Sequence, residues 1–272
     1  MCIRDRYKTK PYDHQRNALN ESAEKVQWAY FMEMGTGKTK VTIDNIGYLS
    51  FKGKINAALI IAPKSVYTIW ETEIETHMPN AIKYKIYKWN IDKPKEYEKL
   101  NKYEHLRIFL INVEALSTKR GFNACVDFLT KNKQNFVALD ESTTIKNKSA
   151  KRTKNILGLR GLAQVRRILT GSPITKSPLD LFTQCQFLSP ELLGFSSYLA
   201  FRNRYAVMRQ ANFGGRRVQL IAGYQRLDEL AKLLKPFSDR VLKENCLDLP
   251  EKTYIERQVE LTDEQKKTYE TM

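Results

Sequence analysis

Two short clusters in the sequence carry side chains that together suit phosphoanhydride chemistry. The first, "GTGKT" (35–39), sets two glycines, a lysine and a threonine directly behind the apolar run "WAYFMEM". Glycine weakens helix and strand interiors, so such a cluster needs a backbone reason. A phosphate group supplies one. Glycines let the backbone N–H groups of Gly35, Thr36 and Gly37 turn inward on phosphate oxygens, and a helix starting there adds its positive end. Lys38 is then the candidate to neutralise the β- and γ-phosphates, and the Thr39 hydroxyl the candidate ligand of Mg²⁺. The longer GxxxxGK[ST] pattern asks for glycine at position 32, where this chain has Met32. The plain alternative is a glycine-rich strand–helix turn.

The second cluster is "FVALDES", an apolar run that ends in Asp140 and Glu141. Burial of the run brings both carboxylates out at the C-terminal edge of a strand, where open α/β sheets bind ligands. Asp140 suits the metal, directly or through water. Glu141 suits a general base that polarises an attacking water. An acidic turn after a strand is common. Downstream of a phosphate loop, it becomes the second half of a nucleotide site, with Glu141 and Lys38 as the catalytic candidates.

Such a site needs a sheet to present it. "AALIIAP" (57–63), "RIFLINV" (107–113), "NFVALDE" (135–141) and "RRILTGS" (166–172) are short and nearly continuous in apolar character, as parallel strands covered on both faces should be. "WAYFMEM" (28–34) is a fifth. Helical spacing lies between them, in "TKVTIDNIGYLS", "SVYTIWETEIETH" and "GFNACVDFLTKN". "SPLDLFTQCQFLSP" opens on Ser177 as a cap with Pro178 at the first helical position. The alternation predicts an α/β domain whose mainly parallel sheet is flanked by helices. Residues 191–245 read as a mostly helical, basic segment that includes "LDELAKLLKPF". "TYIERQVELT" reads as a strand, and "DEQKKTYETM" as the start of a helix.

Composition narrows the partner. The 272 residues carry a formal net charge of +16 and a pI near 9.6, which favours a polyanion. Basic residues gather at Lys146, Lys148, Lys151, Arg152, Lys154, Arg166 and Arg167, then from Arg202 to Arg217. The four cysteines and three histidines are scattered without metal-ligand or disulfide spacing, so a reducing compartment is expected. No apolar run approaches membrane-spanning length, and no membrane partner is expected.

Taken in order, these motifs resemble the first RecA-like lobe of superfamily-two helicase-like ATPases. Within them the chain is most similar to Swi/Snf-type DNA translocases, especially short phage and bacterial forms. The resemblance runs from about Pro11 to the end. "KPYDHQRNAL" resembles the Q motif, which implies that Gln15 meets the adenine edge with Tyr12 or His14 beside it. "MEMGTGKT" resembles motif I, with Glu33 and Met34 as in the Swi/Snf version. "LIIAPKSVYTIWETEI" resembles motif Ia and implies nucleic-acid contacts at Lys64 and Ser65. "LINVEAL" resembles motif Ib, with Asn112 and Glu114 near the strand path. "LDESTTIKN" resembles motif II, with Lys146 and Asn147 as further contacts. "ILTGSPI" resembles motif III, where Thr170, Gly171 and Ser172 would couple the nucleotide site to DNA. Motif II departs from the family pattern at Ser142 and Thr143, so its coupling to motif III is expected to run through hydroxyl hydrogen bonds.

The resemblance implies ATP and Mg²⁺ as cofactors and DNA, expected to be double-stranded, as partner. It implies a RecA-like P-loop NTPase lobe over residues 11–250 and, over 251–272, the start of a connection to a second RecA-like lobe. That lobe would bring the arginine finger, so slow hydrolysis is expected of these residues alone. Residues 1–10 are expected to be disordered or artefactual, since "MCIRDR" resembles translated sequencing adapter. The expected location is the cytoplasm of a bacterium or a phage-infected host cell. Two other classes compete. A non-catalytic nucleic-acid-binding P-loop module would bind DNA without regard to ATP. A small-molecule P-loop kinase would need a lid-like arginine segment and leaves Gln15 and "LTGSP" unexplained. Duplex translocation and strand separation fit the residues equally, as do DNA and RNA.

Overall fold

The computed structural model describes residues 7–213, 216–246, 256 and 260–271. In chain order its main elements are α1 (Asp13–Ser22), β1 (Gln27–Met32), α2 (Lys38–Phe51), β2 (Ala57–Ala62), α3 (Tyr67–His77), β3 (Tyr84–Lys88), α4 (Pro94–Asn101), β4 (Leu106–Asn112), α5 (Lys119–Lys131) and β5 (Asn135–Asp140). There follow α6 (Lys151–Leu159), β6 (Val165–Leu169), α7 (Leu181–Leu188), α8 (Tyr198–Tyr205), β7 (Ala206–Phe213), β8 (Arg216–Tyr224), α9 (Leu227–Leu234), β9 (Ser238–Val241) and α10 (Asp263–Glu270).

Seven strands form one sheet in the order β3-β4-β2-β5-β6-β1-β9, and every pairing in it is parallel. The five strands expected from apolar runs are all present. All six residues of β2 and all six of β5 are buried, as strands covered by helices on both faces must be. A single core joins the strands to the apolar faces of the helices, with Trp70, Tyr30, Phe109, Phe128 and Phe136 among its largest side chains.

This order puts every expected motif loop on one edge. The C-terminal ends of β4, β2, β5, β6 and β1 carry the segments likened to motifs Ib, Ia, II, III and I, in that spatial sequence. The nucleotide motifs therefore occupy three adjacent strand tips, and the segments proposed for nucleic acid follow on along the same rim.

Three expectations need correction. Residues 191–245 are not a basic helical segment. Between α8 and α9 the chain forms an antiparallel hairpin, β7 with β8, which holds Arg209 and Arg217 on strands. Neither strand alternates cleanly, since Ala206–Met208 and Leu220–Ala222 are consecutive apolar runs, so no strand period marked the hairpin in the sequence. Arg166 and Arg167 do not belong to an exposed basic face. Arg167 is fully buried, and Arg166 donates to the carbonyls of Arg160 and Ala163. Residues 7–10 are ordered against α3: Lys8 Nζ donates to the Glu75 carbonyl, and Thr9 Oγ1 lies 2.6 Å from His77 Nδ1.

β3 and β9 extend the sheet beyond the expected strands, one at each edge. The helix read in "DEQKKTYETM" is α10, opened by Thr262 accepting from Gln265 N. Of the strand read in "TYIERQVELT", residues 253–255 and 257–259 lie outside the described residues, and the described residues 256 and 260–262 are not in a strand. Among the described residues no helix is long and apolar enough to cross a membrane.

Candidate nucleotide site

The phosphate loop forms because two glycines take backbone angles closed to most residues. Gly35 has φ +83° and Gly37 φ +88°, both left-handed. A side chain on Gly37 would also collide with Gln15, since its Cβ would fall 2.2 Å from Gln15 Nε2. The Glu33 carbonyl organises the turn. It accepts from Thr36 N at 3.2 Å, from Thr36 Oγ1 at 2.7 Å and from Lys38 Nζ at 3.4 Å. α2 begins at Lys38, so its unpaired N–H groups and positive end face the loop.

Gln15 is buried, and its side chain braces this loop. Its Nε2 donates to the Thr36 carbonyl at 3.1 Å, and its Oε1 accepts from Tyr12 N. His14 Nε2 lies 2.8 Å from the same carbonyl, and the Tyr12 and His14 rings stack at 5.8 Å. The Q-motif segment is thus fastened to the phosphate loop. Its aromatic pair, rather than the Gln15 amide alone, offers a face to a base.

Asp140 and Glu141 reach the same place from β5. Asp140 is buried; its Oδ2 accepts from Trp70 Nε1 at 2.9 Å and its Oδ1 from Glu141 N at 2.9 Å. Burial holds its carboxyl above the usual carboxylate range. The Trp70 hydrogen bond opposes that rise, and the charge of Glu141 adds to it. Burial likewise pulls the Lys38 ammonium below the usual lysine range, against the attraction of Glu141 and Asp140. β5, β6 and β1 are neighbours in the sheet, so the β5 tip and the Lys38 loop rise from the same edge.

Glu141 adopts a left-handed backbone, φ +46°, unusual for a residue with a side chain. Three bonds hold it: its N–H on Asp140, its carbonyl, which accepts from Thr144 N at 2.9 Å, and its Oε2, which accepts from Thr170 Oγ1 at 3.1 Å. Strain fixed by its surroundings in this way is a mark of functional positions. Thr170 follows β6, the strand between β5 and β1, and is itself buried. This bond joins the motif II and motif III segments through the Thr170 hydroxyl; Ser142 and Thr143, the departures on which the expected hydroxyl link rests, take no part in it. Ser142 Oγ donates instead to Gln184 Oε1 at 2.6 Å on α7. Gly171 packs on the phosphate loop, where an added Cβ would lie 3.2 Å from Met34 N, while Ser172 is exposed and its N–H lies 3.3 Å from Thr170 Oγ1.

A magnesium–nucleotide fits this donor set. Asp140 and Thr39 are the candidate ligands, and no group of three or more His, Cys, Asp or Glu side chains among the described residues forms a protein-only cage. Mg²⁺ characteristically takes one or two protein oxygens and completes its shell with phosphate and water. A buried carboxylate held above its usual range also lacks the counter-charge that such a cation brings.

The expected nucleic-acid residues lie along the rim and are all exposed: Lys64 and Ser65 after β2, Lys146 and Asn147 after β5. Lys146 Nζ donates to Thr175 Oγ1 at 2.7 Å, and Asn147 Oδ1 accepts from the Ser149 N–H and hydroxyl. Asn112 accepts from Ala115 N, which commits its side chain to capping the turn after β4.

Sequence reading missed Arg240 and Lys243. Arg240 Nη1 donates to the Gly171 carbonyl at 2.9 Å, and Lys243 N donates to Glu33 Oε2 at 2.7 Å. Only the parallel pairing of β9 with β1 brings them here, and no local spacing announces it.

The family model for the SNF2-related domain matches residues 29–272. The chromatin-remodeling ATPase INO80 of Lodderomyces elongisporus is 28% identical over 253 residues, covering 88% of this chain and 15% of its own length. The TATA-binding protein-associated factor MOT1 of Saccharomyces cerevisiae is 31% identical over 250 residues, covering 87% of this chain and 13% of its own length. The chain therefore spans less than a sixth of these curated relatives. The solved SWI2/SNF2 ATPase core of Sulfolobus solfataricus in complex with dsDNA superposes with a TM-score of 0.65 at 22% identity, covering 88% of this chain and 46% of that one.

Proposed function

This chain belongs to the SNF2-related domain family, and from that premise we propose that it is the ATP-binding lobe of a DNA-dependent ATPase that moves along duplex DNA. One observation carries the proposal: Lys38, the Asp140–Glu141 pair and Thr170 meet at the tips of three adjacent parallel strands. Lys38 and the loop amides bind the phosphates. Thr39 and Asp140 hold Mg²⁺, which neutralises charge on the phosphates. Glu141, fixed by Thr170, orients and deprotonates the attacking water. Duplex DNA lies along the rim formed after β2 and β5, where Lys64, Ser65, Lys146 and Asn147 meet its backbone. The dsDNA bound to the Sulfolobus core supports that choice of partner.

A second RecA-like lobe completes the cleft and supplies an arginine finger, worth about 10³–10⁵ in rate. The extent of the Sulfolobus core beyond the 46% matched here supports this. These residues alone therefore bind ATP–Mg²⁺ and hydrolyse it slowly. The cytoplasm is the proposed location, and the free cysteines Cys125, Cys185 and Cys246 suit a reducing compartment.

The test pairs nucleotide titration with steady-state ATPase, with and without duplex DNA. Lys38→Ala is expected to weaken ATP binding about a hundredfold or more, on the scale of lost charge-assisted bonds to phosphate, and to leave the melting temperature no lower. DNA binding is expected to fall steeply with salt. DNA affinity that ignores both ATP and Glu141→Gln would identify a non-catalytic binding module instead.

A further inference from the structure

The segment after β9 stands beside the nucleotide site, and no motif accounts for it. β9 runs parallel to β1, and the Val241 carbonyl accepts from Glu33 N at 2.9 Å, at the mouth of the phosphate loop. Two residues on, Lys243 N donates to Glu33 Oε2. The backbone is thus tied to the loop on both sides of Leu242. This tether brings the Lys243 side chain over Gly35. Its Cε and Nζ lie 3.5 and 3.7 Å from the point that a Cβ on Gly35 would occupy.

Lys243 is only half-buried, and among the described residues its ammonium has no hydrogen-bond acceptor and no ion-pair partner. Its ammonium lies over the same loop that presents Lys38. Two cations drawn together by backbone ties, one without a partner, are unfavourable unless an anion joins them. The loop amides already converge on that position.

The turn that Lys243 heads does a second thing. Glu244, Asn245 and Cys246 face Tyr12, His14 and Asn17 across a cleft of 570 Å³, within the range of small-ligand sites. The stacked Tyr12 and His14 rings form one wall of it. The cleft is continuous with the phosphate loop through His14, whose ring meets the Thr36 carbonyl.

We propose that Lys243 is a second cation for the nucleotide's phosphates, and that the turn it heads closes the base cleft opposite Tyr12 and His14. The inference rests on the nucleotide reading given above. It makes the chain that leaves β9, as far as Cys246, part of the site.

The experiment is titration of the full 272-residue chain with a fluorescent ATP analogue and Mg²⁺, alongside thermal melting. Lys243→Ala is expected to weaken ATP about ten- to a hundredfold at an unchanged melting temperature, the scale of one charge-assisted bond. Lys243→Arg, which keeps the charge, is expected to retain affinity within about threefold. ATP affinity untouched by Lys243→Ala overturns the inference while Lys38→Ala still abolishes binding and upholds the site. A loss shared by Lys243→Arg, or one accompanied by a lower melting temperature, overturns it in favour of a packing role. Wild-type chain that binds no ATP removes the nucleotide reading, and this inference with it.

Discussion

The two ends of β6 hold polar side chains of the same general kind and use them oppositely. At its C-terminal end, Thr170 meets Glu141 in a site where groups are desolvated and incompletely partnered. From the middle of the strand, Arg167 sends its guanidinium back to the N-terminal end, where it is fully buried and fully spent. Its Nε donates to Asn45 Oδ1; Nη1 donates to the carbonyls of Val26 and Arg166; Nη2 donates to those of Ser22 and Lys25. The Phe136 ring lies beneath the guanidinium at 5.4 Å. No carboxylate is among these partners. The negative end of α1 stands in for one, since Ser22 is its last residue and Lys25 lies just beyond. An arginine in a basic stretch can therefore be a helix cap and a core bolt. Charge in the sequence marks a partner only where the chain leaves it uncommitted.

That contrast makes Arg167→Ala the largest expected effect. It would take the guanidinium away from five acceptors; the Val26 and Ser22 carbonyls keep the Arg166 and Lys25 N–H groups, whereas Asn45 Oδ1 has no other donor among the described residues. The expected loss of stability is about 3–5 kcal/mol, as for other broken buried charge networks. Chemical denaturation measures it. Residual folded protein should bind ATP normally, because the lesion lies at the far end of the strand. A small change in stability would mean that the lower end of β6 is as open as the upper.

Thr170→Val sharpens the comparison from the other side. Valine keeps the shape and removes the hydroxyl, so Glu141 loses the tether on its side chain and Ser172 N its acceptor. The expected result is about a tenfold slower hydrolysis, or ~1.4 kcal/mol in the barrier, with ATP affinity and melting temperature nearly unchanged. Single-turnover hydrolysis at saturating ATP separates the two quantities. A fall in affinity instead would make Thr170 part of the phosphate pocket rather than a positioning residue for Glu141.

The same division decides what could be read from the sequence. β2, β4 and β5 were legible because continuous apolar runs have one comfortable place, a sheet covered on both faces. Asp140, Glu141 and Thr170 were legible because each sits at or just past a strand end, and Lys38 because a glycine loop sets it at the start of a helix. β3, "YKIYK", was not, since an edge strand carries lysines that blunt its open side. The β7–β8 hairpin was hidden because neither of its strands alternates cleanly. Nothing in its own helix announces that Trp70 donates to Asp140, and Gln184 gave no signal of its bond to Ser142. These contacts, like that of Lys243, join residues far apart in sequence, so no local pattern encodes them.

The polarity of β6 recurs across β9, which allows the finest test. Lys243 follows its upper end at the phosphate loop, whereas Asp239 lies lower, opposite Tyr30, and accepts from Trp28 Nε1 at 2.6 Å. Burial raises the Asp239 carboxyl to about 6, the Trp28 bond opposes the rise, and Glu21 adds to it. The folded state therefore holds a proton here at pH values where the unfolded chain has lost it. The contribution of this group to stability falls as pH climbs from about 4 to about 6, then stays flat. Asp239→Asn keeps an acceptor for Trp28 and removes the titration. At pH 7 the variant is expected to be more stable by ~1 kcal/mol, discounted for the carboxylate's partial exposure, and the gain should vanish near pH 4. Melting curves across that range read it directly. Nucleotide affinity should not change, in contrast to Lys243→Ala four residues further on. If Asp239→Asn altered ATP binding instead, β9 would act as one lever between its two ends, and the separation seen in β6 would not extend to it.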